Sequence, residues 1–315
     1  MSIRSYRRFA NLVFAAVTCA IVAACSAGQL APRATTAFSP ASALTAPSIT
    51  TRLYVADQSA DKIVVYPAGV ASPAPIQTLT DGVRKPVSIA TDAAGNLYVF
   101  NGGYKTGPFL SKFAPGASKP SSTMTLPSSL SALGWMAFGP DGTIYIVGFD
   151  SQGSQILEYY AGATSPSLTI QAPSSSNPFR NTAAVDRKNN FYTVLEGGAN
   201  ADGPIVFPPK STSYSFVKYT AGALGAITFD NTGDLLVAHF SRNHGERVLV
   251  VEPTGSRSFA TTVYPSSMAF DGADDVLYLA DNNMVSIMDY ATKTQIGELT
   301  GFPYIVGVAV GPNPY

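Results

Sequence analysis

The side chains best equipped for chemistry sit at a few places in this chain of 315 residues. Both histidines share one polar run, His239-Phe-Ser-Arg-Asn-His244-Gly-Glu-Arg247. There His239 has the chemistry of a general base, and Arg242 that of an anion clamp. Asp57, Asn101, His239 and Asp281 each follow a short apolar run ending in a similar pattern, and Gly148 and Leu195 take the two remaining equivalent positions. Oxygen ligands with one imidazole suit a divalent ion such as Ca²⁺ or Zn²⁺. Asp and Asn also cap tight turns for purely local reasons, so the same residues carry a structural reading. Trp135, the single tryptophan, could stack on a sugar or other planar ligand, or simply fill space. Asn101 and Glu196, the latter opening the run Glu196-Gly-Gly-Ala-Asn-Ala-Asp-Gly203, could bind such a ligand.

Composition narrows the classes these residues can serve. Lys plus Arg equals Asp plus Glu at 20 each, so no basic excess exists to neutralise phosphates, and no nucleic-acid partner is expected. Charged residues are 13% of the chain, too few for charge-laced heptads. Apolar residues at 46% can build a sizeable core, and 27 Gly with 23 Pro suit many tight turns.

The first fifty residues read as an address. Arg4, Arg7 and Arg8 precede an uncharged stretch from Leu12 to Ala24. That stretch is too short to span a bilayer but suits a signal-peptide core over residues 1–24. It ends in Val22-Ala-Ala-Cys25, which resembles a bacterial lipobox. The resemblance implies that Cys25 carries lipid and becomes the mature N-terminus, attaching the protein to a membrane. The implied location is the bacterial cell envelope, the outer membrane in a Gram-negative host, facing periplasm or exterior. Cys19 lies inside the leader, so the mature body would hold no disulfide. Residues 25–50, rich in Ala, Ser, Thr and Pro, read as a flexible tether.

Residues 51–315 repeat. Ser88-Ile-Ala-Thr-Asp-Ala-Ala-Gly-Asn-Leu-Tyr98 is echoed by units ending at Tyr145, Tyr192, Leu236 and Tyr278. Each unit reads as strand, Asp/Asn/Gly turn, strand, and a third and a weaker fourth strand follow. Four strands per 40–50 residues is the pattern of a propeller blade. The body opens with a second strand, Leu53-Tyr-Val55, and ends with a first strand, Val306-Gly-Val-Ala-Val310. The expected fold is therefore all-β, a six-bladed β-propeller closed by pairing of its N- and C-terminal strands, with Val308 beside Tyr54. Within the first strands one position reads Ala90, Ala137, Ala184, Thr228, Ala269, Ala309, and the next reads Thr91, Phe138, Val185, Phe229, Phe270, Val310. Small residues on the face crowded at an axis, and large ones packed on the adjacent blade, would explain the alternation.

Leu53-Tyr-Val-Ala-Asp57 followed by Lys62-Ile-Val-Val-Tyr66 resembles an NHL repeat, as does Leu277-Tyr-Leu-Ala-Asp281 followed by Val285-Ser-Ile-Met288. The resemblance implies the six-bladed class that includes gluconolactonases and regucalcin. It does not imply their activity, because this chain lacks the Glu-Gly-Pro and Pro-Asn-Gly motifs that supply their metal ligands. Two expectations follow. One is a non-catalytic envelope lipoprotein that binds or scaffolds a protein or glycan partner. The other is a metal-dependent hydrolase, lactonase-like, or a lyase, with its site at the channel mouth.

Overall fold

The turns decide where each strand stops. The structure, a computed structural model, describes residues 51–315 apart from 103–106, 131–133, 174–177, 181, 197–202, 219–222, 242–244, 253–254, 274 and 313–315. The leader, Cys25, the tether, Arg242 and His244 lie outside the described residues. Among the described turns, Asp92 accepts at Oδ1 from the backbone N–H groups of Ala94 and Asn96, at 3.0 and 2.9 Å. Asp186, Asp230 and Asp271 repeat the arrangement on Asn190, Asp234 and Asp275. A carboxylate that collects the N–H groups of its own turn fixes the hairpin locally. The extra residue after Asp271 is absorbed without loss of this cap.

These hairpins build six four-stranded sheets. The chain enters through β1 (Arg52–Asp57), β2 (Lys62–Pro67) and β3 (Gln77–Leu79). The second blade is β4 (Pro86–Thr91), β5 (Leu97–Asn101), β6 (Phe109–Phe113) and β7 (Ser122–Thr125). The third is β8 (Gly134–Phe138), β9 (Ile144–Asp150), β10 (Gly153–Tyr159) and β11 (Leu168–Gln171). The fourth is β12 (Ala184–Val185), β13 (Phe191–Leu195), β14 (Gly203–Phe207) and β15 (Ser215–Phe216). The fifth is β16 (Ala223–Phe229), β17 (Leu235–Ser241), β18 (Gly245–Glu252) and β19 (Gly255–Ala260). The sixth is β20 (Ser267–Phe270), β21 (Val276–Ala280), β22 (Val285–Asp289) and β23 (Thr294–Leu299). The last strand, β24 (Ile305–Gly311), pairs with β1 and completes the first blade in the order β24-β1-β2-β3. The molecule is a six-bladed β-propeller closed by its own two ends.

The closing register differs from expectation by one residue: Tyr54 faces Ala309, and Val308 faces Val55. The reason is visible in the other blades. The small position lies opposite the aromatic or Leu of the second strand throughout, as Ala90 with Tyr98, Ala137 with Tyr145, Ala184 with Tyr192, Thr228 with Leu236 and Ala269 with Tyr278. Ala309 with Tyr54 is the sixth such pair.

The described apolar core divides into six clusters, each joining two consecutive blades. This refines the reading of the small and large positions. Both faces of a first strand pack on neighbouring blades, and the small residue of one blade receives the large residue of the next. Ala90 packs with Phe138, Ala137 with Val185, Ala184 with Phe229 and Ala269 with Val310. Two large groups meeting at the narrow inner end of a wedge would overpack it, and two small ones would leave a void.

Candidate functional site

The six first strands surround an axial channel of about 130 Å³. Its walls are residues 88–91, 135–138, 182–185, 226–229, 266–270 and 308–310, and none of these is Asp, Glu, Lys, Arg or His. A first strand has no ladder partner on its inner edge, so its backbone N–H and C=O groups need other partners. Side chains of the preceding blade provide some of them. Ser88 Oγ accepts from Met136 N at 3.2 Å, Thr182 Oγ1 from Ile227 N at 3.1 Å, and Ser267 Oγ from Val308 N at 3.1 Å. Near the other end, Thr91 Oγ1 donates to Val310 O at 2.6 Å. The blades are thus stitched at the hub by hydroxyls.

Trp135 occupies the position equivalent to Ser88, Thr182 and Ser267. It stands half-buried on β8 opposite Val147 and lines the channel at the mouth end. Ala226 and Gly307 hold the other two equivalent positions. The six positions therefore alternate around the ring, hydroxyl and non-hydroxyl. Aligning the repeats exposes this alternation in sequence, but its role as a hydrogen-bonding belt follows only from the geometry.

The residues nominated after the second strands lie one layer out from the channel walls. Asp57 is fully buried at the end of β1. Its Oδ1 accepts from Ala60 N at 3.2 Å, and Lys62 Nζ stands 3.8 Å from Oδ2. Asn101, fully buried at the end of β5, accepts at Oδ1 from Arg84 N at 2.7 Å. Its Nδ2 lies 3.2 Å from each of Gly82 O, Val99 O and Ser111 Oγ. Asp281 is half-buried and accepts from Asn282 N at 2.7 Å within its own turn. His239 stands half-buried on β17 between Leu224 and Arg247. Glu196 is ion-paired with Arg180 at 2.8 Å, and Arg180 Nη1 donates to Leu224 O, tying the fourth blade to the fifth. Among the described residues, no three His, Cys, Asp or Glu side chains come together in a group that could hold a metal ion.

Cross-links make this end of the propeller stiff. Gln58 Nε2 donates to Pro86 O at 2.9 Å, tying this loop to the second blade, and Gln58 N donates to Tyr304 O at 2.9 Å beside the β1–β24 ladder of its own blade. Ser111 Oγ joins Asn101 on Gly82 O at 2.7 Å. The opposite half of the third blade holds a group that sequence reading passed over. Glu158 on β10 is 1% exposed, and neither carboxylate oxygen has a hydrogen-bond partner among the described residues. Burial, with the nearby Asp141 charge second, pushes its carboxyl up to about 7. Its signal in sequence is the lone Glu inside the apolar run Ile156-Leu157-Glu158-Tyr159.

No known family profile matches the chain, and no curated protein sequence matches it. Solved structures do. A chain of a nidogen/laminin complex superposes with a TM-score of 0.61 at 15% identity, over 82% of this chain and 98% of that one. A protein of unknown function from Bacteroides caccae gives 0.56 at 14% identity, over 83% of this chain and 98% of that one. The likeness is one of fold. Identities this low carry the propeller architecture and leave function to the site.

Proposed function

We propose that this chain is a lipid-anchored protein of the bacterial cell envelope whose propeller is a non-catalytic module that binds or scaffolds a protein or glycan partner. The anchor follows from the lipobox-like Val22-Ala-Ala-Cys25, and the reach from the tether behind it. The observation that carries the binding reading is the use made of the polar residues at the channel-mouth end. Asp57 and Asp281 cap their own turns, Asn101 and Gln58 tie the first blade to the second, and Arg180, paired with Glu196, reaches Leu224 O of the next blade. Groups committed in this way build a surface of fixed shape, which lowers the ordering cost of binding a partner. One structural neighbour was itself solved in a nidogen/laminin complex, which suits a propeller as a docking platform. The NHL-like repeats agree with the same use.

The test has two arms. Replacing Cys25 with Ala should abolish incorporation of labelled fatty acid and release the protein from the membrane fraction. Envelope material passed over the immobilised protein should leave a protein or a glycan bound to the wild type. That material should be lost when surface residues at the mouth end are substituted. Retention of lipid by Cys25→Ala would overturn the anchor, and a column that holds neither protein nor glycan would overturn the module.

A further inference from the structure

The seam between the first and second blades is cross-linked at its outer end, where Gln77 Nε2 donates to Ala117 O at 3.2 Å and Asp81 pairs with Lys119 at 3.9 Å, yet a groove remains beside these links. Blades diverge outward, so the rim of each seam must be filled by the outer strands and their loops. At the seam between blades six and one this happens: Gly297 on β23 lies so close to Ala71 O that a side chain there would collide with it. At the next seam β3 has three residues, and β7 is the tetrad Ser122-Thr-Met-Thr125, whose Met124 packs in the seam of the second and third blades. What remains is a groove of about 500 Å³, framed by the loop 80–84 on one side and by Phe109, Thr123 and Thr125 on the other.

The groove has a rigid wall. Gly82, with φ of 72°, sits against Pro120, where an added Cβ would lie 2.6 Å from the ring. Its carbonyl is held by the buried Asn101 and Ser111, and Asn101 also accepts from Arg84 N. Asn101 and Ser111 are both fully buried, so the clamp is shielded from water. Asp81 and Arg84 flank the clamped glycine and are exposed. The lining is thus one carboxylate, one guanidinium, three threonine hydroxyls and a half-buried phenyl ring.

We infer that this groove between the first two blades is a binding site for a neutral oligosaccharide. The inference rests on the binding-module reading above and deepens its glycan branch. A sugar ring offers an apolar C–H face, which fits the Phe109 ring, and a rim of hydroxyls that both donate and accept. Asp81 accepts from such hydroxyls, Arg84 donates to them, and Thr80, Thr123 and Thr125 do both. The size falls within the ~300–1,000 Å³ of small-molecule sites. The lining itself carries one acid and one base, and Asp81 is further balanced by Lys119 outside the lining at 3.9 Å, so hydroxyls are selected here by hydrogen bonding rather than by charge. Among the described residues Phe109 and Val83 are the only apolar side chains of the lining, too little surface for a lipid chain or an amphipathic helix.

The experiment titrates the full chain, in detergent solution, with cellotetraose, maltotetraose and chitotetraose, read by calorimetry and by ligand-observed NMR. At least one should bind one-to-one. Asp81→Asn and Arg84→Gln, both on the surface, should each weaken that binding at least tenfold with an unchanged melting temperature. Trp135→Phe, at the channel, should leave it unchanged. Loss of binding in Trp135→Phe with full retention in both groove variants would overturn the groove while leaving a glycan-binding module standing. If none of the three sugars binds while the envelope column still retains a protein, the inference falls and the broader reading survives.

Discussion

Glu158 shows how much one residue can make the whole fold depend on pH. It faces the seam of the third and fourth blades with Tyr145 and Leu168 beside it on its own sheet. Phe191, Phe207 and the half-buried Tyr214 pack in the same seam. The charged and titratable neighbours are Asp141, Tyr145 and Tyr160, and no cation is among the groups that shift it. Its folded carboxyl titrates near 7, against 4.5 for the ordinary group. Between those values the native state holds a proton that the unfolded chain has released. Stability therefore falls as pH rises through this window and has lost its full share above about 7. A shift of this size corresponds to about 3 kcal/mol. Glu158→Gln keeps the shape of the protonated acid and removes the titration. Urea unfolding should give the variant and wild type similar midpoints at pH 4.5, and a variant more stable by up to about 3 kcal/mol at pH 8. Equal midpoints at both pH values would show that the carboxylate finds solvent or a cation in the folded protein.

At the scale of the strand, the hub belt makes the next prediction. Thr182 is buried, and its hydroxyl is the side-chain acceptor for Ile227 N. Thr182→Val keeps the volume and removes the acceptor, leaving a buried N–H without its partner, which costs about 1–3 kcal/mol. Ala226 holds the equivalent place on the next blade, with Met268 N in the role of Ile227 N. Ala226→Ser should add the missing bond and about 0.5–1.5 kcal/mol, seen as a rise in melting temperature of a few degrees. If both substitutions shift stability in the same direction, the belt is not the determinant proposed. This is also the scale at which sequence was most informative. Turn aspartates act on N–H groups within five residues, and the pairing of a small residue with an aromatic or Leu recurs in every blade, so both appear as repeats. The register of β24 on β1 was harder to read because no turn connects them, and a one-residue slip is invisible without one. Asn101 shows the limit for a site. Its place at a strand end was legible, but its partners Gly82 and Arg84 come from the preceding blade's exit loop, which spacing alone does not bring near. The groove it supports lies between the exit loop of one blade and the outer strands of the next, a property of how two blades meet.

For the whole molecule, closure is the term on which the rest depends. All seven residues of β24 are buried, and the strand packs between the sixth and second blades as well as pairing with β1. Without it β1 would expose a long apolar edge to solvent and to other copies of the chain. The four large aliphatic residues Ile305, Val306, Val308 and Val310 alone bury roughly 6–12 kcal/mol of side-chain transfer energy. That is comparable with the ~5–15 kcal/mol that separates a typical native state from its unfolded chain. The other seams cannot make up the difference, because each joins only consecutive blades. Ending the chain after Tyr304 should therefore abolish cooperative unfolding and drive the product into aggregates, rather than yield a folded molecule with one frayed blade. A synthetic peptide of residues 305–315 added during refolding should restore part of the folded fraction, since the missing strand needs no covalent link to fill its place. Size-exclusion chromatography and thermal melts measure both effects. A truncated chain that stays monomeric and melts cooperatively within a few degrees of the intact protein would mean that five and three-quarter blades hold themselves together, and that the joining of the ends serves something other than stability.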